Sequence, residues 1–134
     1  RGQPDQDVLN VLGSLRWVPE NPRACHNDLN PWTVIFLTSE PWMTLDWEWF
    51  GNNDPLFDLI TLHQGLGWDQ DSLPDMAAEL LGDEVTGDRL QRNLQAFWLR
   101  EYAWAHAAIA DGSQRAEIIE QKRVALDRFR SLSA

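Results

Sequence analysis

The chain has 134 residues, with 21 Asp and Glu against 11 Lys and Arg, which gives a formal net charge of −10. This length fits one compact domain over residues 1–134, and the acidic charge argues against nucleic-acid binding, which depends on neutralising phosphates with Lys and Arg. No apolar run is long enough to suggest a membrane span, and the one Cys, Cys25, cannot form an internal disulfide. We therefore expect a cytoplasmic protein that binds small cationic molecules rather than nucleic acid or membranes.

The first elements predicted along the chain are a helix and a β-hairpin. Apolar residues at helical spacing predict a helix over residues 7–17, closed by the prolines that follow. Two short runs rich in β-branched and aromatic residues, 33–38 and 42–47, predict the two strands of the hairpin. Residues 51–55, which read GNNDP, then predict a turn.

The rest of the chain is predicted to be helical. Asp54 is a suitable N-cap and Pro55 a suitable first residue for a helix that runs to Leu66. Further helices are expected over residues 75–81, 86–110 and 113–132, with Gly residues marking their ends. This order of elements predicts an α+β fold that is mainly helical, with one small sheet formed by the β-hairpin.

Residues 24–59 contain a dense set of polar side chains, several of them carboxylates, between apolar runs. Asp28 lies on the loop before the hairpin and Asp46 at the end of its second strand, so closing the hairpin brings two carboxylates to one end of the sheet. Such a pair holds a divalent metal, or divides the roles of metal ligand and general base. Taken one at a time, these aspartates are also explained as caps of turns and helices, or as solvated strand ends.

Three motifs in this stretch resemble those of the aminoglycoside phosphotransferase and choline kinase family, whose fold is like that of protein kinases. Residues 26–31 (HNDLNP) are similar to its catalytic loop, H-x-D-x-x-x-x-N. Residues 45–48 (LDWE) resemble its metal-binding segment, and residues 53–59 (NDPLFDL) resemble the D-P-x-x-D-L that follows. The motifs have the family's order and spacing, and the resemblance implies a kinase-like C-terminal lobe.

The resemblance also implies a role for individual residues. Asp28 is expected to be the catalytic base that orients a substrate hydroxyl, while His26 holds the catalytic loop. Asp46 is expected to bind Mg²⁺ and, through it, the phosphates of ATP. Glu48 would reach the metal through water, and Asp58 would support the catalytic loop by hydrogen bonding to it.

Two features depart from the family pattern. Thr33 stands where the family has a metal-binding Asn, so we expect Thr33 to bind metal and nucleotide more weakly, and the bulky Trp32 replaces a common Gly. The chain has one Lys, Lys122, and no segment like the family's N-terminal nucleotide lobe. The isolated chain is therefore expected to be inactive and to present an apolar face to that lobe, to a partner chain or to a second copy in a homodimer.

The reaction implied by the resemblance is transfer of the γ-phosphate of a nucleotide to a hydroxyl group of a cationic amine or amino alcohol. Aromatic faces bind such cations, and the candidates are Trp47, Trp49, Trp68 and Trp98, although each is also explained by packing. Two other functions stay open. One is a non-catalytic pseudokinase or binding module, and the other is a metal-dependent hydrolase that uses His26, Asp28 and Asp46.

Overall fold

The computed structural model describes residues 5–14, 18–19, 21–82 and 85–133. The chain forms two compact units: a terminal unit of Arg1–Val18 with Leu94–Ala134, and a central unit of Pro19–Asn93. Whether these units make up one domain, as the sequence predicts, stays a prediction. Within the described ranges, no helix is long and apolar enough to cross a membrane.

The terminal unit is built from helices. They are α1 (Gln6–Ser14), the larger part of α4 (Gly87–Ala110), and α5 (Ala116–Ser133). Its core consists of buried side chains from all three helices: Val8, Tyr102, Ala125 and Phe129. The Tyr102 hydroxyl also accepts a hydrogen bond from the amide of Asp5 at 3.0 Å. The first helix agrees with its prediction as far as residue 14, and the predicted residues 15–17 lie outside the described ranges.

The central unit combines short strands with helices. Its elements are β1 (Arg23–Cys25), β2 (Val34–Ile35), β3 (Met43–Thr44), β4 (Gly51–Asn53), α2 (Pro55–Leu66) and α3 (Leu73–Leu81), followed by the first residues of α4. The strands form two antiparallel pairs, with Ala24 opposite Asn52 in β1–β4 and Val34 opposite Thr44 in β2–β3. The β2–β3 pair is the predicted hairpin, and it is shorter than predicted.

The sheets correct the sequence prediction in two respects. Residues 51–53 were expected in a turn but form β4, because pairing with β1 outweighs the weak strand propensity of Gly and Asn. The described residues thus contain two small sheets rather than one. The outer parts of the predicted strands also differ, since Pro31–Thr33 and Trp47–Trp49 form single turns of 3₁₀ helix.

The helices agree closely with their predictions. Asp54 caps α2 by accepting a hydrogen bond from the Leu56 amide at 2.9 Å, and Pro55 is the first helical residue. Gly67 ends α2 in the left-handed conformation, at φ 66°. Helices α3, α4 and α5 begin and end within three residues of the predicted bounds. The prediction of a mainly helical α+β fold is confirmed.

Candidate active site

The loop that carries Asp28 is held at its beginning by Asp58, which lies in the first turn of α2. The two carboxylate oxygens of Asp58 accept hydrogen bonds from the amides of His26 and Asn27, each at 2.8 Å. Asn27 has a φ of 69°, a left-handed conformation that Asn adopts more readily than most residues. Asp58 therefore makes two hydrogen bonds to the backbone at the start of the loop, and the role that the resemblance implies for it stays a prediction.

The imidazole of His26 connects this loop to the segment that precedes Asp46. Its Nδ1 accepts a hydrogen bond from the amide of Asp28 at 3.1 Å, and its Nε2 lies 2.5 Å from the carbonyl oxygen of Leu45. A carbonyl only accepts and an amide only donates, so both contacts require a neutral ring with the proton on Nε2. His26 is 3% exposed, and both ring nitrogens are occupied in holding the backbone.

Thr33 is also engaged with the loop itself. Its side-chain oxygen accepts a hydrogen bond from the amide of Asn30 at 3.1 Å and lies 3.2 Å from the carbonyl oxygen of Asp28. The Asn30 side chain completes this turn, accepting from the Trp32 amide at 2.9 Å and donating to the Asp28 carbonyl at 3.1 Å. Thr33 is buried, so the structure shows it closing the loop, and its role as a ligand for metal or nucleotide stays a prediction.

Asp46 occupies a strained backbone position at the end of the hairpin. The preceding amide, of Leu45, donates to the carbonyl of Thr33 at 2.8 Å, and Asp46 then adopts the left-handed conformation with φ 57° and ψ 58°. Such conformations in non-glycine residues are concentrated at functional sites. The Asp46 side chain is exposed and makes no capping hydrogen bond to the turn Trp47–Trp49 that follows.

The donor atoms of the acidic residues are of the kind that a magnesium ion shared with a nucleotide prefers. Asp28 and Asp46 offer carboxylate oxygens, which Mg²⁺ prefers, and the exposed Glu48 follows Asp46 by two residues. Across the part of the chain that the structure describes, no three His, Cys, Asp or Glu side chains are grouped to hold a metal. Because phosphates and waters complete the shell of nucleotide-bound Mg²⁺, one or two carboxylates suffice for it.

Two of the predicted substrate-binding tryptophans lie beside the loop. The Trp47 ring packs against His26 with the ring centres 4.7 Å apart, and its Nε1 donates to the carbonyl of Thr44 at 3.0 Å. The Trp49 carbonyl accepts a hydrogen bond from the Asn27 side chain at 2.8 Å. Both indole rings are about half exposed or more, so each has a face available to a ligand.

The other two tryptophans have different surroundings. Trp68 follows α2 and is exposed, with its ring edge-on to His63 at 6.0 Å between centres. Trp98 belongs to the terminal unit, where it is partly buried against the core that contains Tyr102. A substrate role for any of the four tryptophans stays a prediction.

Sequence analysis missed two buried polar partners of Asp54. Arg89 donates to both carboxylate oxygens of Asp54, at 2.8 and 2.6 Å, and Asn93 adds a third bond at 3.1 Å. Burial acts to raise the pKa of Asp54, but the hydrogen bonds from Arg89, Leu56 and Asn93 outweigh it and hold that pKa below its ordinary value. The sequence contains a sign of their burial, because Asn93 and Arg89 lie four and eight residues before Phe97 and so share its buried face of α4.

A glycine allows α2 to approach the loop closely. A Cβ atom on Gly65 would lie 2.6 Å from Cδ of Pro31, which is closer than side chains pack, and 3.5 Å from Cβ of Asn30. Helix α2 therefore supports the loop twice, through Asp58 in its first turn and through the bare backbone of Gly65 near its end.

The chain is similar to known proteins over part of its sequence and in its fold. The chain is 48% identical over 40 residues to Protein LicA of Haemophilus influenzae, a match that covers 30% of this chain and 15% of that protein. No family model matches the chain. The fold is similar to the crystal structure of a choline/ethanolamine kinase family protein from Mesorhizobium loti, with a TM-score of 0.73 and 22% identity over 98% of this chain and 48% of that chain.

Two structures of LicA are similar to the same extent. One is LicA in complex with AMP, with a TM-score of 0.72 at 18% identity over 95% of this chain and 45% of that one. The other is the choline kinase LicA from Streptococcus pneumoniae, with a TM-score of 0.70 at 18% identity over 94% of this chain and 46% of that one. The fold is that of a kinase-like C-terminal lobe. The chain spans about half the length of these structures, and at such identities the likeness establishes the fold alone.

Proposed function

We propose that this chain is the C-terminal lobe of a small-molecule kinase, which transfers the γ-phosphate of a nucleotide to a hydroxyl of a cationic amine or amino alcohol. The observation that carries the proposal is the bridge made by His26 between the Asp28 amide and the Leu45 carbonyl. This bridge joins the two acidic motifs in one hydrogen-bonded unit. The shared fold with a choline/ethanolamine kinase family protein and with AMP-bound LicA supports nucleotide binding.

In the proposed reaction, Asp28 orients the substrate hydroxyl and accepts its proton. His26 is unsuited to that role because Nδ1 already accepts from the Asp28 amide and Nε2 donates to Leu45. Asp46 would hold Mg²⁺, with Glu48 acting through water. When bound, that ion would neutralise negative charge on the nucleotide phosphates.

A cationic acceptor is favoured by charge and by the aromatic side chains near the loop. The chain carries a formal net charge of −10, which attracts cations over a distance. The exposed faces of Trp47 and Trp49 would then hold an ammonium group by cation–π contact. Choline and ethanolamine are therefore the first acceptors to test.

We further propose that a nucleotide-binding lobe, on the same polypeptide or on a partner chain, covers an apolar surface of the central unit. Large apolar side chains are exposed there, among them Trp32, Phe36, Trp42, Met43 and Phe50. Patches of this kind mark interaction surfaces. A homodimer is the alternative arrangement, and a cytoplasmic location stays a prediction.

The position of Thr33 favours a second candidate function, a non-catalytic pseudokinase or binding module. The family pattern has a metal-binding Asn at this place, whereas the Thr33 side chain is buried and bonded to the backbone of Asp28 and Asn30. Because the Thr33 side chain is hydrogen-bonded to the backbone of its own loop, the loop offers the metal one ligand fewer than the family pattern does.

Calorimetric titration with Mg²⁺ and a non-hydrolysable ATP analogue separates the two candidates. For a kinase we expect weak binding of Mg²⁺ alone, tighter binding of Mg²⁺ with the nucleotide, and loss of the latter in Asp46→Asn. Thr33→Asn should strengthen metal binding if position 33 is a ligand. Glu79→Gln, which removes an exposed negative charge from α3, is the matched control.

Phosphate transfer to choline and ethanolamine is then measured with and without a nucleotide-binding lobe supplied on the same polypeptide. We expect transfer only when the lobe is present. Binding of an amine with no effect of nucleotide, metal or Asp46→Asn would support the pseudokinase. Strong transfer by the isolated chain would contradict the need for a second lobe.

A further inference from the structure

Arg89 and Asp54 form a buried ion pair within the central unit. The guanidinium faces the carboxylate with two bonds, from Nε to Oδ2 at 2.8 Å and from Nη2 to Oδ1 at 2.6 Å. The two side chains are 4% and 1% exposed. Because both planar groups are engaged at two points, the pair fixes one orientation of Asp54 relative to α4.

Stability alone does not explain why charged groups occupy this position. Replacing a buried ion pair by well-packed apolar residues is often neutral or stabilising, since desolvation of the charges offsets their attraction. The network also leaves Oδ1 of Asn93 buried without a hydrogen-bond partner in the described part of the chain. Such a costly arrangement favours a role in defining geometry.

One hydrogen-bonded route from the ion pair to the loop passes through α2. Asp54 caps this helix at the Leu56 amide, and the first turn that follows contains Asp58. The Asp58 carboxylate accepts from the amides of His26 and Asn27. The orientation of Asp54 thereby sets where the first turn of α2 places the acceptors for the loop.

A second route bypasses the helix. The backbone amide of Asp54 donates to Oδ1 of Asn53 at 2.8 Å, and Nδ2 of Asn53 donates to Oδ1 of Asn27 at 2.9 Å. Asn27 is the residue immediately before Asp28. The two routes are chemically independent, since one uses the side chain of Asp58 and the other that of Asn53.

We propose that Arg89 is a positioning residue for the loop that carries Asp28, and that it acts through Asp54. The proposal rests on the proposed function only in treating Asp28 as the base. The positioning itself is a property of the folded chain and is measured without turnover. In this view Arg89 contributes to the geometry of the loop beyond any contribution to the stability of the fold.

Amide hydrogen exchange measured by NMR on the whole chain tests the proposal. Arg89→Met alone would leave the buried Asp54 carboxylate without its cationic partner. The main variant is therefore Asp54→Asn with Arg89→Met, in which the Asn side chain still offers an acceptor to the Leu56 amide. The control is Ile60→Val, a change at a fully buried residue of α2 whose apolar side chain makes none of the hydrogen bonds of either route. We expect exchange of the His26 and Asn27 amides to quicken about tenfold more than that of mid-helix α2 amides in the double variant, and not in the control.

The imidazole nitrogen shifts of His26 supply a second readout. They should move in the double variant, because the bond from the Asp28 amide to Nδ1 loosens, and stay unchanged in Ile60→Val. If the double variant does not fold, Arg89→Lys keeps the charge without the two-point contact and should show the same pattern more weakly.

Equal quickening of loop and helix amides in every folded variant, with unmoved His26 shifts, would overturn the proposal. That result would leave the proposed function intact. Conversely, a lobe-containing protein that transfers no phosphate would refute the proposed function without bearing on the exchange data.

Discussion

Nε2 of His26 donates a hydrogen bond to the carbonyl oxygen of Leu45, 2.5 Å away and 19 residues along the chain. Nδ1 of the same ring accepts a hydrogen bond from the amide of Asp28, so the loop and the segment before Asp46 form one hydrogen-bonded unit. A neutral imidazole serves this purpose well, since it donates on one side and accepts on the other. A single buried side chain thus connects the backbone of Asp28 with the residue that precedes Asp46.

Replacing Asp28 by Asn should reduce phosphate transfer by about 10² to 10⁴-fold, the usual contribution of a general base. The variant keeps the bonds that the backbone of this residue makes to His26, Asn30 and Thr33. Initial rates of nucleoside diphosphate formation in the lobe-containing protein measure the effect. Glu79→Gln should keep the full rate, and a full rate in Asp28→Asn would exclude this residue as the base.

Gly65→Ala should destabilise the protein by about 1–3 kcal/mol, because the new methyl group meets Pro31 at 2.6 Å and the loop or α2 has to shift. Gly13→Ala is the matched control, since nothing lies within 4 Å of a Cβ at that position in α1. The control should gain about 0.5–1 kcal/mol from helix propensity. Urea unfolding followed by circular dichroism measures both, and a gain in both variants would contradict the packing described for α2.

Asp54 should make stability depend on pH in the acid range. Its folded-state pKa lies below the ordinary value of 3.8, so its contribution is complete above that value and is lost as the pH falls through the folded-state pKa. The free energy of unfolding should therefore fall between about pH 5 and pH 2, and fall less in Asp54→Asn with Arg89→Met. Urea unfolding at a series of pH values checks this, and equal slopes for the two proteins would contradict it.

Cys25 should react slowly with thiol reagents in the folded protein. Burial, with a further contribution from the negative charge of Asp58, raises the pKa of the Cys25 thiol to about 11. The thiolate, which is the reactive form, is therefore scarce at pH 8 as well as inaccessible. Ellman's reagent should label the native chain far more slowly than the chain in concentrated urea. Equally fast labelling under both conditions would show that β1 does not protect the thiol.

The helices were predictable because their signals are local. Two adjacent residues, Asp54 as N-cap and Pro55 as first residue, mark the beginning of α2. In α4 and α5, apolar residues recur at helical spacing along the whole helix. Strand β4 was not predictable in this way, because GNN has the composition of a turn. Its partner β1 lies 26 or more residues earlier, and only the folded chain brings the two together.

The residues of the candidate site also differ in whether a local sequence pattern identifies them. Asp28, Asp46 and Asp58 were identified because they stand in motifs that resemble a known family. Helical spacing places Arg89 on the buried face of α4, but it does not identify Asp54, 35 residues earlier, as the partner of Arg89. Asp54 both caps α2 and pairs with Arg89 through one side chain, and the cap alone is enough to explain an Asp at this position.

The exposed tryptophans give the protein an unusual optical property. In most folded proteins the indole rings are shielded, and unfolding shifts their emission to the red. Here Trp32 and Trp42 are 86% and 68% exposed in the folded state, and Trp49 is 64% exposed. Intrinsic fluorescence will consequently report unfolding poorly, and it will respond instead, by a blue shift and by protection from iodide quenching, to whatever covers the surface around these rings.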